Sequence, residues 1–204
     1  MPPSGPSSSR GRFLVLDGID GCGKSTQAER LARALSARHL REPGSTALGE
    51  GLRELLLARE HAIFPRAETL LFAAARAQML EELVEPALAK GENVVCERFH
   101  ASTFAYQAVA GGLPEDEVLA LLSTWAGAPQ PDLVLWLDLP LELALARRGA
   151  ASDRIERRGI EFQRAVARGY ARYAERSRRV VRVDASGTLD AVAAAVLKEV
   201  QRVL

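Results

Sequence analysis

From Asp17 the chain reads Asp-Gly-Ile-Asp-Gly-Cys-Gly-Lys-Ser-Thr, a run of glycines broken by groups that can hold an anion. The segment Gly18-Ile19-Asp20-Gly21-Cys22-Gly23-Lys24-Ser25-Thr26 therefore offers phosphate chemistry. Its glycines permit the left-handed and close-approach backbone of a tight anion-cradling loop. Backbone N–H groups left free at a following helix start would wrap the α- and β-phosphates of a nucleotide. Lys24 would reach the β- and γ-phosphates, and the Ser25 hydroxyl would ligate Mg²⁺. Four fixed positions of this kind arise by chance in roughly one chain in a hundred of this length, so the flanks must decide.

They support the reading. Phe13-Leu14-Val15-Leu16 is a continuous apolar run suited to a buried parallel strand, and Ala28, Leu31, Ala32 and Leu35 recur on one helical face. Strand, loop and helix in that order form the full P-loop context. Further strands are expected at 93–97, 133–138 and 180–183, with a short, poorly patterned one near 36–41. Helices are expected at 46–59, at 65–90 with a kink at Pro86, and at 103–110, 114–126, 160–178 and 189–203. Arg41-Glu42-Pro43-Gly44-Ser45-Thr46 reads as a turn in which Pro43 can take a cis bond. The alternation gives an α/β class with a parallel, doubly wound five-stranded sheet. Asp17, Glu97 and Asp138 end strands, where open parallel sheets bind their ligands.

The 204 residues, 48% of them hydrophobic, suffice for one domain over 12–204, preceded by a Pro/Ser/Gly-rich tail at 1–11 expected to be disordered. Lys+Arg 27 against Asp+Glu 26 leaves a net charge of +1, which gives no reason to expect a nucleic acid or membrane partner. Cys22 and Cys96 make neither a disulfide framework nor a metal-ligand spacing, and no apolar run approaches spanning length. These features point to a cytoplasmic protein.

In the P-loop, Arg41–Thr46, Leu71-Phe72-Ala73-Ala74-Ala75-Arg76-Ala77-Gln78, and Glu97-Arg98-Phe99 through Ala105-Tyr106-Gln107, the chain resembles the thymidylate kinases, P-loop enzymes that phosphorylate dTMP. Asp153-Arg154-Ile155-Glu156, followed by Phe162, Arg164 and Tyr170, extends the likeness over nearly the whole chain past residue 12. The resemblance implies ATP as phosphoryl donor, Mg²⁺, dTMP as acceptor and a homodimer. It implies that Arg41, Arg76 and Arg98, from three separate motifs, bind or neutralise the acceptor phosphate, and that Pro43 lies in the substrate site. It also implies that Phe72 stacks on thymine, that Tyr106 packs against the deoxyribose, and that Ser102, Thr103 and Gln107 contact the base region. Asp20 corresponds to an acidic residue near Mg²⁺ and the acceptor, and Glu97 to a Mg²⁺-shell or arginine-orienting group. On residue chemistry alone, Phe72 is equally well a packed core phenylalanine.

The chain departs from the family pattern in having Glu97-Arg98 where Asp-Arg is usual, Asp17 where Glu is common, and Ala75 in place of an acid. Gly21 stands where one subtype carries its transition-state arginine, which favours a lid at about 147–159 as the source. Arg147, Arg148, Arg154, Arg157 and Arg158 are available there, with Arg148 and Arg154 favoured. Two other readings remain at this stage. One is a deoxynucleoside kinase using Glu97 as base on a 5′-OH. The other is a non-catalytic P-loop protein whose arginine-rich 147–182 region contacts nucleic acid.

Overall fold

The computed structural model describes residues 10–58, 62–148 and 154–204. Among them, five strands form one sheet: β1 (Phe13–Asp17), β2 (Arg38–Arg41), β3 (Val94–Glu97), β4 (Leu133–Asp138) and β5 (Val180–Asp184). Their order is β2-β3-β1-β4-β5 and every pairing is parallel. The first strand therefore lies centrally; the chain passes from it to the edge strand β2, returns to β3 beside it, and then crosses to β4 and β5 on the other side. The crevice at that reversal lies beyond the carboxyl ends of β1 and β3.

β1 is apolar throughout because both its faces are covered. Phe13 and Val15 pack with Val94, Cys96, Met79, Leu80 and Leu88, whereas Leu14 and Leu16 join Ala28, Leu31, Val95, Val192 and Val196. The helices on the sheet are α1 (Lys24–Ala34), α2 (Ala47–Leu57), α3 (Pro65–Met79), α4 (Glu85–Ala89), α5 (His100–Thr103), α6 (Glu115–Thr124), α7 (Leu141–Arg148), α8 (Ile160–Arg176) and α9 (Leu189–Val200).

The helix expected at 65–90 is an unbroken succession of helical segments, in which a π-helical turn at Leu80–Val84 joins α3 to α4 immediately ahead of Pro86. A proline lacks the N–H and clashes with the preceding turn, and the wider π register accommodates both defects. A second π turn, Phe104–Val109, follows α5, so this helix starts at His100 rather than at residue 103. At Gly169 of α8 an added Cβ would lie 2.6 Å from the Ala105 Cα. Only glycine allows α8 to approach that π turn so closely, and the approach seats Tyr106 and Tyr170 beside the crevice.

The Glu42–Pro43 peptide is cis, as the turn reading allowed, and Ala128–Pro129 is cis as well. Gly11, assigned to the tail from composition, is buried and donates its N–H to the Leu88 carbonyl, while residues 1–9 lie outside the described residues. No helix among the described residues is long and apolar enough to cross a membrane.

Candidate active site

At the carboxyl end of β1, Asp17 is fully buried and serves as a five-bond acceptor. Its carboxylate takes N–H groups from Gly18, Phe99 and Ser102, at 2.9, 3.0 and 3.0 Å, and hydroxyls from Ser102 and Tyr170, at 2.6 and 2.8 Å. One residue thereby fastens the start of the phosphate loop to the segment after β3. Arg98, in that segment, sits at φ +67°, a left-handed conformation rare for a side-chain-bearing residue. Its Nη1 donates to Ser102 Oγ at 3.0 Å, and its other terminal nitrogen pairs with Asp20 inside the loop.

Asp20 gathers Arg98, Lys24 Nζ at 3.1 Å and the Tyr106 hydroxyl at 2.8 Å. Burial pushes the Asp20 carboxyl upward, but the charges of Arg98 and Lys24 and the bonds from Tyr106 and Lys24 outweigh it. Asp20 is held well below the usual carboxylate range. Burial likewise opposes the charge on Arg98, and the carboxylate of Asp20 more than restores it. The loop therefore carries a fixed ion cluster whose positive members face a common cleft.

That cleft, of about 670 Å³, is lined by Lys24, Ser25, Arg41, Pro43, Phe72, Arg76, Glu97, Arg98, Ser102, Thr103, Tyr106 and Gln107, so the separate sequence motifs meet. A smaller one of about 450 Å³ is lined by residues 21–27 together with Arg147, Ala185 and Gly187. The arginines on the larger cleft differ in how they are held. Arg76 is buried; its Nε and Nη2 grip the Glu42 carboxylate at 2.6 to 3.0 Å, and Nη2 also donates to Thr103 Oγ1 at 3.0 Å. Its Nη1 is left with no partner. Burial raises the Glu42 carboxyl and Arg76 opposes that rise. Arg41, by contrast, lies half exposed on Glu50 at 2.9 and 3.0 Å.

Ser25 Oγ donates to Glu97 Oε2 at 2.6 Å, and His39 Nε2 is 2.8 Å from Glu97 Oε1. A hydroxyl and a carboxylate together are hard oxygen donors of the kind Mg²⁺ takes alongside phosphate oxygens and water. The donor set fits that ion without a larger cluster, and no group of three or more His, Cys, Asp or Glu side chains able to hold a metal occurs among the described residues. Asp20, the other residue expected near the metal, has both oxygens occupied by Lys24, Arg98 and Tyr106.

In the segment expected to form a lid, Arg154 is half buried; its Nε donates to the Leu56 carbonyl at 3.1 Å and its Nη2 pairs with Glu68 on α3. Glu68 also accepts from Gln107 at 2.9 Å and faces Arg158 at 3.5 Å. The Arg148 side chain and residues 149–153, including Asp153, lie outside the described residues. At Gly21 (φ +87°) an added Cβ would stand 2.2 Å from the Ala144 carbonyl, so this loop position has no room for an arginine. Sequence reasoning missed His39, Glu42, Arg53 and Glu68, and also Ile155, which is buried in the main core within the arginine-rich segment. Arg53 lines the same cleft and donates to the Pro43 carbonyl at 3.0 Å. The one available signal was the alternation on β2, which puts His39 on the same face as Arg41.

Residues 16–196 match the sequence profile described as Thymidylate kinase. The thymidylate kinase of Alkalilimnicola ehrlichii is 44% identical over 194 residues, covering 90% of this chain and 89% of the relative. A Synechococcus thymidylate kinase is 48% identical over 180 residues, covering 82% and 85%. Among solved structures, the Candida albicans thymidylate kinase superposes with a TM-score of 0.81 at 27% identity, covering 95% of this chain and 92% of the other. That of Ehrlichia chaffeensis gives 0.78 at 27%, covering 94% and 99%. With a P-loop fold, a cleft that unites the separate motifs and relatives matched along most of their length, the chain belongs to the thymidylate kinase family.

Proposed function

We propose that the cleft brings the terminal phosphate of ATP, held by the P-loop, against the phosphate of dTMP, held by arginines. The reaction itself, phosphoryl transfer from ATP to dTMP, is that of the family. The observation that carries the site reading is the convergence of Lys24 and Ser25 with Arg41, Arg76, Arg98, Phe72 and Tyr106 on one cavity.

The chemistry asks little of a general base, because the acceptor is a phosphate oxygen largely ionised at neutral pH. Alignment and charge neutralisation supply the rate. In this reading Lys24 and the loop N–H groups of residues 18–26 hold the donor phosphates, and Asp20 keeps Lys24 and Arg98 in place. Arg98 and Arg41 meet the acceptor phosphate. Phe72, Thr103 and the unpartnered Nη1 of Arg76 address the rest of the acceptor, with Ser102 and Gln107 supporting that wall. Tyr106, tied through its hydroxyl to Asp20, closes the sugar pocket. Ser25 and Glu97 hold Mg²⁺, which when bound neutralises charge on the donor phosphates. Glu97, bonded by Ser25 and His39, acts in this reading as a cation-site group rather than as the base of a nucleoside kinase. The crowded Gly21 supports a lid source for the mobile arginine, Arg148 or Arg154, and the latter would have to leave Glu68. The homodimer and the cytoplasmic setting belong to the same proposal, as does a single kinase domain over 12–204.

A coupled assay with ATP and Mg²⁺ against dTMP, dUMP, dCMP, UMP and thymidine tests this reading. dTMP should be the preferred acceptor, and Lys24→Ala should lower turnover by at least about a thousandfold with the fold intact. Thymidine accepted and dTMP refused would overturn it.

A further inference from the structure

We propose that His39 is a positioning residue that fixes the Glu97 carboxylate against Ser25 and thereby shapes the cation site at the phosphate loop. The inference rests on reading the cleft as the ATP·Mg²⁺ site and adds a residue to it.

The β2–β3 register pairs His39 with Val95 and Arg41 with Glu97. Residues two apart on a strand share a face, so His39, Val95, Arg41 and Glu97 lie on one side of the sheet, while Leu40 and Cys96 join the core on the other. His39 and Glu97 are thus diagonal neighbours, a separation that long side chains bridge. They do so at 2.8 Å, on the Glu97 oxygen not used by Ser25. The carboxylate is held at both ends, by a residue of the loop helix and by a residue of the edge strand.

Two anchors matter here because the residue is glutamate. Its extra methylene adds a rotatable bond, and with Ser25 alone the carboxylate would sample several staggered positions. The imidazole N–H removes that freedom, as outer partners of metal-binding carboxylates do. His39 also lines the cleft and keeps 30% of its side chain exposed, so replacing it opens no core cavity.

The test is a titration of Mn²⁺ into the enzyme–ADP complex, followed by electron paramagnetic resonance, for the parent, His39→Phe and His39→Gln. His39→Phe should weaken Mn²⁺ binding roughly three- to tenfold and raise the Mg²⁺ requirement of turnover in step, with KM for dTMP unchanged. His39→Gln, which retains an N–H donor at similar reach, should stay within about twofold of the parent. In a Glu97→Gln background His39→Phe should add nothing. Should His39→Phe fold poorly, His39→Ala removes the ring without adding bulk and answers the same question. Equal Mn²⁺ affinity in parent and His39→Phe, or Gln as impaired as Phe, would overturn the proposal. A parent complex that bound no Mn²⁺ would instead overturn the reading of the cleft, an outcome distinct from equal affinities.

Discussion

The inner and outer halves of the cleft are built on opposite plans. Inside, Asp17, Asp20, Arg98, Ser102, Tyr106 and Tyr170 form a closed network in which each polar group is buried or half-buried and bonded to another member. At the rim, Arg41 rests on Glu50 with roughly half of each side chain exposed. A buried network in low dielectric is stiff and costly to interrupt, whereas an exposed ion pair exchanges with water at little cost. The difference teaches that the phosphate-loop geometry is set before any ligand arrives. The rim arginine remains free to change partners.

The largest effect should come from breaking the inner network at its hub. Asp17→Asn turns one acceptor oxygen into a donor, and whichever way the amide is placed it faces a backbone N–H that Asp17 now accepts. Leaving such groups buried and unsatisfied should cost about 3 kcal/mol of stability. Activity at temperatures where the variant is folded should fall as well, because Arg98 loses the Ser102 hydroxyl that Asp17 orients. Chemical denaturation and kcat measured on the same preparation check both. A change below about 1 kcal/mol would mean the inner half is no stiffer than the rim.

A smaller effect comes from just behind that network. His100 stacks on Phe99 with ring centroids 4.1 Å apart and is 2.8 Å from the Ala126 carbonyl. Burial, then the nearby charge of Arg76, holds it down at about 3 against an ordinary 6.5. The folded state therefore refuses a proton that the unfolded chain accepts, so this stability is complete above 6.5 and drains away as pH falls toward 3. The loss should reach about 2 kcal/mol by about pH 5. Glu42, raised by burial, works in the opposite sense, so the variant comparison isolates the histidine. Unfolding midpoints from pH 7.5 down to 5 should slope more steeply for the parent than for His100→Gln, and parallel slopes would remove His100 as the cause.

Legibility in the sequence follows the same division. The strands and the loop could be read because an apolar run buried on both faces and a glycine pattern ahead of a helix are local signals. Arg98 and Tyr106 could be named from their motif. What holds them could not: Asp17 reaches Tyr170 across 153 positions, and no periodicity reports a contact that long. Glu42 and Glu68 looked like ordinary helix or turn acids until the fold set Arg76 and Arg154 against them. The π turns were invisible for another reason. They preserve the helical apolar face, so the pattern gives a plain helix.

The smallest effect is the one that best separates the two halves. Glu50 holds Arg41 by both carboxylate oxygens and also takes the Ser45 N–H at 2.8 Å, all near the surface. If the rim is loose, Glu50→Gln weakens this hold and alters stability by less than about 1 kcal/mol. The freed Arg41 then meets the acceptor phosphate without a competing carboxylate, so KM for dTMP should fall two- to threefold, roughly 0.5 kcal/mol, with kcat unchanged. Steady-state kinetics over a dTMP series decide it. A fall in kcat would mean that Glu50 fixes Arg41 for the reaction as firmly as Asp20 fixes Arg98, and the contrast between the halves would be lost.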